Sequence, residues 1–145
     1  MTTQTAGTLK ITRVIATDPE TVFDAWTLPE HLKQWSAPEG MDVPVSEVDL
    51  TVGGRFHLQM RNAEGGVHNA RGIYHEIDRP TRLVYSWEWD EHADHGQSLI
   101  TIEFKAVDGG TEVTMVHAGL PTEESAREHE GGWKSCLNRL EGLYA

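Results

Sequence analysis

PTEESAREHEGGWKSCLNRLEGLY, residues 121–144, is the stretch whose reading decides the fold. Taken at 100° per residue, Ala126, His129, Trp133, Leu137, Leu140 and Tyr144 fall within about 40° of one line, with Cys136 at its edge. Arg127, Lys134, Ser135, Asn138 and Glu141 lie elsewhere around the axis. The spacing predicts a long helix with one apolar stripe, entered through Pro121 and capped by the Thr122 hydroxyl. A stripe of this kind needs a surface to bury against.

The sequence upstream supplies that surface. From Met41 to Ala118 the apolar residues recur at a period of two, which marks strands with one buried face. Val43 to Leu50 runs into Gly53-Gly54, a turn that exploits the positive φ open to glycine. Phe56, Leu58 and Met60 then alternate with Arg55, His57, Gln59 and Arg61. Asn62–Gly66 turns the chain, 67–77 returns, and Asp78–Arg82 turns it again around Pro80. Leu83, Tyr85, Trp87 and Trp89 alternate with Val84, Ser86, Glu88 and Asp90. After a polar loop at 91–96, Ile100, Ile102 and Phe104 form one face, and Asp108-Gly109-Gly110 closes a hairpin into TEVTMVHA.

Residues 8–16, rich in β-branched side chains, read as a first strand. Asp18-Pro19-Glu20 starts a helix with an N-cap acceptor, a proline that loses nothing in the first turn, and a carboxylate facing the dipole. A second short helix is expected at Pro29–Trp35. The order is thus strand, two helices, six strands, long helix: an α+β domain over 8–145, in which a curved antiparallel sheet of about six to seven strands wraps the C-terminal helix. Residues 1–7 are expected to be a flexible tail.

Composition narrows the function. Net charge −11 with histidines neutral, and no basic stripe, argues against nucleic acid as a partner. No apolar run approaches a membrane span, and MTTQTAG lacks the features of a secretory leader. The lone Cys136 cannot form an internal disulfide, so a cytoplasmic setting is expected. Phosphate loops, nucleophile elbows and zinc cysteine sets are absent, and no cofactor is expected. The loop Asp90-Glu91-His92-Ala93-Asp94-His95 holds metal-ligand residue types, yet lacks firmly spaced third and fourth ligands, so no metal is expected there.

The aromatics and two histidines carry the functional reading. Five tryptophans are present, and Trp26, Trp87, Trp89 and Trp133 fall on inward faces, each with an N–H needing a partner. They fill a core, line a cavity, or do both. His117 continues the Val113, Met115 parity toward the helix, and His129 lies early on the helix stripe near the mouth of any pocket. Two imidazoles facing one space could orient a polar group or move a proton, with Glu103 or Tyr85 as approachable partners of His117. Arg71 and Tyr74, flanking Gly72, are either a strand pair or polar pocket groups. Cys136 reads as a small core residue.

DPETVFDAWTLPEHLKQW (18–35), DLTVGGRFHLQM (49–60), RGIYHEIDRPTRLVYSWEW (71–89) and AREHEGGWKSCLNRLEGLY (126–144) resemble the homologues of the activator of heat-shock-protein ATPase. These belong to the wider SRPBCC group that includes START lipid-transfer domains and the birch pollen allergen. The resemblance runs from about Leu9 to Tyr144 and implies a helix-grip fold enclosing a cavity. Departures from the pattern are Leu28, where an aspartate usually caps the second helix and Thr27 is the substitute, Gln34 in place of a tryptophan, and Val52 in place of a proline. Together these readings lead to non-enzymatic binding of a small, largely hydrophobic molecule between sheet and helix. Its expected lining is Trp26, Trp35, Phe56, Leu58, Met60, Ile73, Tyr85, Trp87, Ile102, Met115, His117, His129, Trp133 and Leu137. The resemblance adds a chaperone protein as an alternative partner, and a hydrolase or cyclase using His117 or His129 is the third reading. Exposed edge strands would permit a homodimer.

Overall fold

The long C-terminal helix, Glu123–Tyr144, forms as its spacing requires: Thr122 sits in extended backbone and its hydroxyl accepts from Ser125 N–H at 2.9 Å. The computed structural model in which it is seen describes residues 7–145, without the side chains of residues 93–95. The tail expected over residues 1–7 thus lies outside the described residues except for Gly7, whose carbonyl accepts from Leu120 N–H at 3.0 Å.

In chain order the elements are β1 (Leu9–Ile15), α1 (Pro19–Thr27), α2 (Pro29–Trp35), β2 (Asp42–Val48), β3 (Arg55–Arg61), β4 (Val67–Asp78) and β5 (Arg82–Trp89). A short 3-10 segment (Asp90–His95), β6 (Ser98–Val107), β7 (Gly110–Ala118) and α3 (Glu123–Tyr144) complete the chain. All seven strands join one antiparallel sheet in the order β1-β7-β6-β5-β4-β3-β2, curled into a half-barrel around α3. This is the α+β helix-grip arrangement. The polar loop expected at 91–96 is tightened into 3-10 turns over Asp90–His95, which meet at a kink at His92 (φ −129°, ψ 41°).

Two bolts hold the C-terminal half of α3. Arg13 of β1 donates to Asn138 Oδ1 at 2.9 Å and to Glu141 Oε2 at 2.7 Å. Arg139 donates through Nη1 to the carbonyls of Ala37 at 2.7 Å and Met41 at 3.0 Å, fixing the loop after α2. Between them Leu137 and Leu140 are fully buried, each burial contributing about 1.5–3 kcal/mol.

Two local expectations change. Thr27 does not cap α2: its hydroxyl donates back to Phe23 C=O at 2.8 Å, and Leu28 stands at the cap without any side-chain bond. On β5, Ser86 is buried although its parity points outward. The β4–β5 register slips between Tyr74 and Glu76, and beside that bulge the Ser86 hydroxyl accepts from Ile73 N–H at 2.9 Å. Gly72 is obligatory for close approach, since a Cβ there would overlap the Ser86 carbonyl oxygen and the Phe56 ring.

Candidate functional site

The concave face of the sheet meets α3 in two zones of different character. Toward the C-terminal half of the helix the interior is solid. Trp26, Trp35, Phe56, Leu58, Tyr85, Trp87 and Trp133 surround a residual void of only about 20 Å³, room for a single water molecule at most. Trp26 and Trp35 pack edge to face at 4.6 Å between centroids, and Phe56 and Tyr85 do so at 5.3 Å. Ile102, Met115, His117 and Leu137 are buried to 2 % exposure or less and border neither this void nor the open space beyond. Most of the expected lining is therefore core.

Toward the N-terminal half of α3 a cavity of about 610 Å³ opens. Met60, Trp87 and Trp89 form its sheet wall, Ser125, His129, Gly132, Trp133 and Cys136 its helix wall, and Ser36 and Pro38 close one side. Glu91 and His92 of the 3-10 segment, His68 of β4, and Pro121, Thr122, Glu124 and Glu128 complete the rim. Of the residues expected from sequence, Met60, Trp87, His129 and Trp133 reach this space. Ile73 does not: Gly72 and Tyr74 are the buried residues of that part of β4, and Ile73 pairs with the exposed Arg55 on the outer face. Arg71 likewise faces out, paired with Asp90 at 3.0 Å.

The indole N–H groups show how the walls are held. Trp26 donates to Tyr85 Oη at 3.2 Å and Trp35 to Ala25 C=O at 2.9 Å. Trp89 donates to His129 Nε2 at 2.9 Å. That ring's Nδ1 lies 2.8 Å from Ser125 C=O and so carries the proton, leaving both nitrogens of His129 engaged. Trp133 donates to His117 Nδ1 at 3.1 Å, the His117 Nε2–H donates to Ser98 Oγ at 2.7 Å, and the Ser98 hydroxyl donates to Trp87 C=O at 3.1 Å. Among the described residues, Trp87 Nε1 is buried without a partner.

His117 is thereby fixed as a neutral imidazole. Burial, with a smaller contribution from the neighbouring His129, pulls its pKa down from 6.5 to about 3. Neither expected partner comes near it: Glu103 pairs with Arg82, and the Tyr85 hydroxyl accepts from Trp26. His117 is a strut behind the wall, with no surface toward the cavity. His129 does stand at the rim, half-buried, as the sequence position suggests. Cys136 lies at the floor of the cavity, and burial pushes its thiol up to about 12, far from thiolate chemistry. No group of three or more metal-ligating side chains is assembled among the described residues.

The parts of the site missing from the sequence reading lie on segments far apart in the chain. Trp89 was legible, because its parity follows Leu83, Tyr85 and Trp87. Pro38, His68, Glu91, Glu124 and Glu128 come together only through tertiary placement.

The comparisons with known proteins agree with this architecture. The family model described as activator of Hsp90 ATPase homolog 1-like protein matches residues 16–145. A Dictyostelium discoideum protein named activator of 90 kDa heat shock protein ATPase homolog is 26% identical over 119 residues, 77% of this chain. The chain spans about a third of that relative's length (31%). A Chromobacterium violaceum protein of known structure superimposes with a TM-score of 0.89 at 29% identity, covering 95% of this chain and 96% of that one. An AHSA1 protein from Silicibacter pomeroyi does so with a TM-score of 0.84 at 27% identity, covering 94% and 96%.

Proposed function

The chain belongs to the activator of Hsp90 ATPase homolog 1-like family, and from that premise we propose that it is a non-enzymatic binding domain for a small, largely hydrophobic molecule. The observation that carries this is the cavity of about 610 Å³ walled by Trp87, Trp89 and Trp133. Its size and its mixture of aromatic walls with a few polar groups match those of small-molecule sites in general. The guest sits between sheet and helix at the N-terminal half of α3, since the interior farther along is filled. No helix among the described residues is long and apolar enough to cross a membrane. The buried free thiol of Cys136 suits the reducing conditions of the cytoplasm, where we place the protein.

Titration with 2-(1-naphthyl)ethanol and with medium-chain alcohols, followed by calorimetry and thermal shift, tests the reading. Saturable binding is expected for the natural sequence and not for Ser125→Trp, which fills the cavity from the half-buried wall of α3. Absence of any heat or shift across the panel would overturn it.

The name of the Dictyostelium relative supports a second reading, in which this domain raises the ATPase rate of a heat-shock chaperone of the 90 kDa class. Steady-state turnover of such a chaperone with and without the protein decides it, unchanged turnover removing the reading.

A further inference from the structure

We propose that the guest of the cavity is an organic cation, an ammonium group carried on an aromatic or short aliphatic body. This rests on the binding reading above and names the chemical class that the site selects.

The permanently charged residues of the lining are of one sign, and they stand beside the imidazoles of His68, His92 and His129. Glu91, Glu124 and Glu128 border the cavity, and no lysine or arginine does. Glu124 and Glu128 stand one turn apart on the same side of α3, where like charges repel. Their neighbours Glu123 and Glu130 are neutralised by Arg127 at 3.4 Å and Lys134 at 3.1 Å. Among the described residues no cation pairs with Glu124 or Glu128. Glu91 is held at the rim by His68.

The walls suit the same guest. The Trp87 ring lies 5.3 Å from that of Trp89, edge to face, and 5.4 Å from that of Trp133, tilted against it, so the three make a contiguous aromatic cluster. The N–H groups of Trp89 and Trp133 are spent on His129 and His117, so these two rings offer the cavity their π-systems rather than donors. Indole faces are the best side-chain partners of ammonium groups, and the attraction grows as water is excluded. The net charge of −11 draws cations toward the protein and repels carboxylates.

Three probes of one shape separate the charge from the cavity: 2-(1-naphthyl)ethylamine, 2-(1-naphthyl)ethanol and 1-naphthylacetate, titrated by calorimetry into the full chain at neutral pH. The amine is expected to bind about tenfold more tightly than the alcohol, the acetate most weakly, with added salt eroding the amine's advantage. In the double variant Glu124→Gln, Glu128→Gln the amine's advantage shrinks to the part the indole faces supply, about threefold, while saturable binding of the alcohol persists and reports an intact cavity. Equal or tighter binding of the alcohol in the natural sequence overturns the cation assignment and leaves the binding reading standing. An amine advantage undiminished in the double variant overturns the placement of the ammonium group at Glu124 and Glu128, and silence from all three probes removes both readings.

Discussion

Replacing His117 by glutamine changes how the stability of this protein depends on pH. The imidazole has no exposed surface, accepts from Trp133 and donates to Ser98, an arrangement open only to the neutral ring. Its pKa falls from 6.5 in the unfolded chain to about 3 in the folded one, mainly through burial. Because the folded value is the lower, the unfolded chain takes up the proton first as acid is added. The stability conferred by a neutral His117 is therefore complete above pH 6.5 and drains away as the pH falls toward 3. Between pH 8 and pH 5 the loss is about 2 kcal/mol, at about 1.4 kcal/mol per unit of unmatched titration. Glutamine offers a donor and an acceptor of similar reach without a titration. Urea unfolding followed by tryptophan fluorescence, run on both proteins across that range, gives the difference directly, and contributions from the other histidines largely cancel. The advantage of the natural sequence over His117→Gln should shrink by about 2 kcal/mol on going from pH 8 to pH 5. A difference that stays level across that range refutes the account of His117 as a buried neutral strut.

Leu28→Asp should stabilise the protein by about 1 kcal/mol, because Leu28 already has extended backbone at the α2 cap and lacks only an acceptor; chemical denaturation measures it. Gly131→Ala, in the interior of α3 with nothing within 4 Å of the new Cβ, should add about 1 kcal/mol, visible as a raised Tm with unchanged probe binding. Arg139→Met removes a charged donor from the carbonyls of Ala37 and Met41 and should cost about 2–3 kcal/mol in urea unfolding.

Local chemistry made most of the architecture readable from sequence. The cap at Thr122, the stripe through Leu137 and Leu140, and the period-two runs on β3 and β6 are each set by residues close in the chain. Ile73 shows where that reasoning ends. It was placed inward, yet Gly72 and Tyr74 hold the buried positions, because the bulge beside them resets the register that alternation alone assumes. The cavity was harder to locate for a related reason. Alternation tells which side chains face the helix but not whether they fill the space between, and bulky residues at Trp26, Trp35, Phe56 and Tyr85 close one end while Gly132 and Ser125 leave the other open. The carboxylates of Glu124 and Glu128 lie off the apolar stripe of α3 and are rim residues because the 3-10 segment stands beside them.

Trp87 belongs at once to the open space and to the sealed aromatic cluster behind it, and Trp133 shares that double position. The two rings that meet a guest are thus the same rings that keep the domain folded. Exchanging either for another shape would disturb the folding equilibrium before it retuned recognition. Divergence toward new guests is therefore channelled to the periphery, to His68, Glu124 and Glu128, where side chains can be exchanged without unsettling what lies beneath.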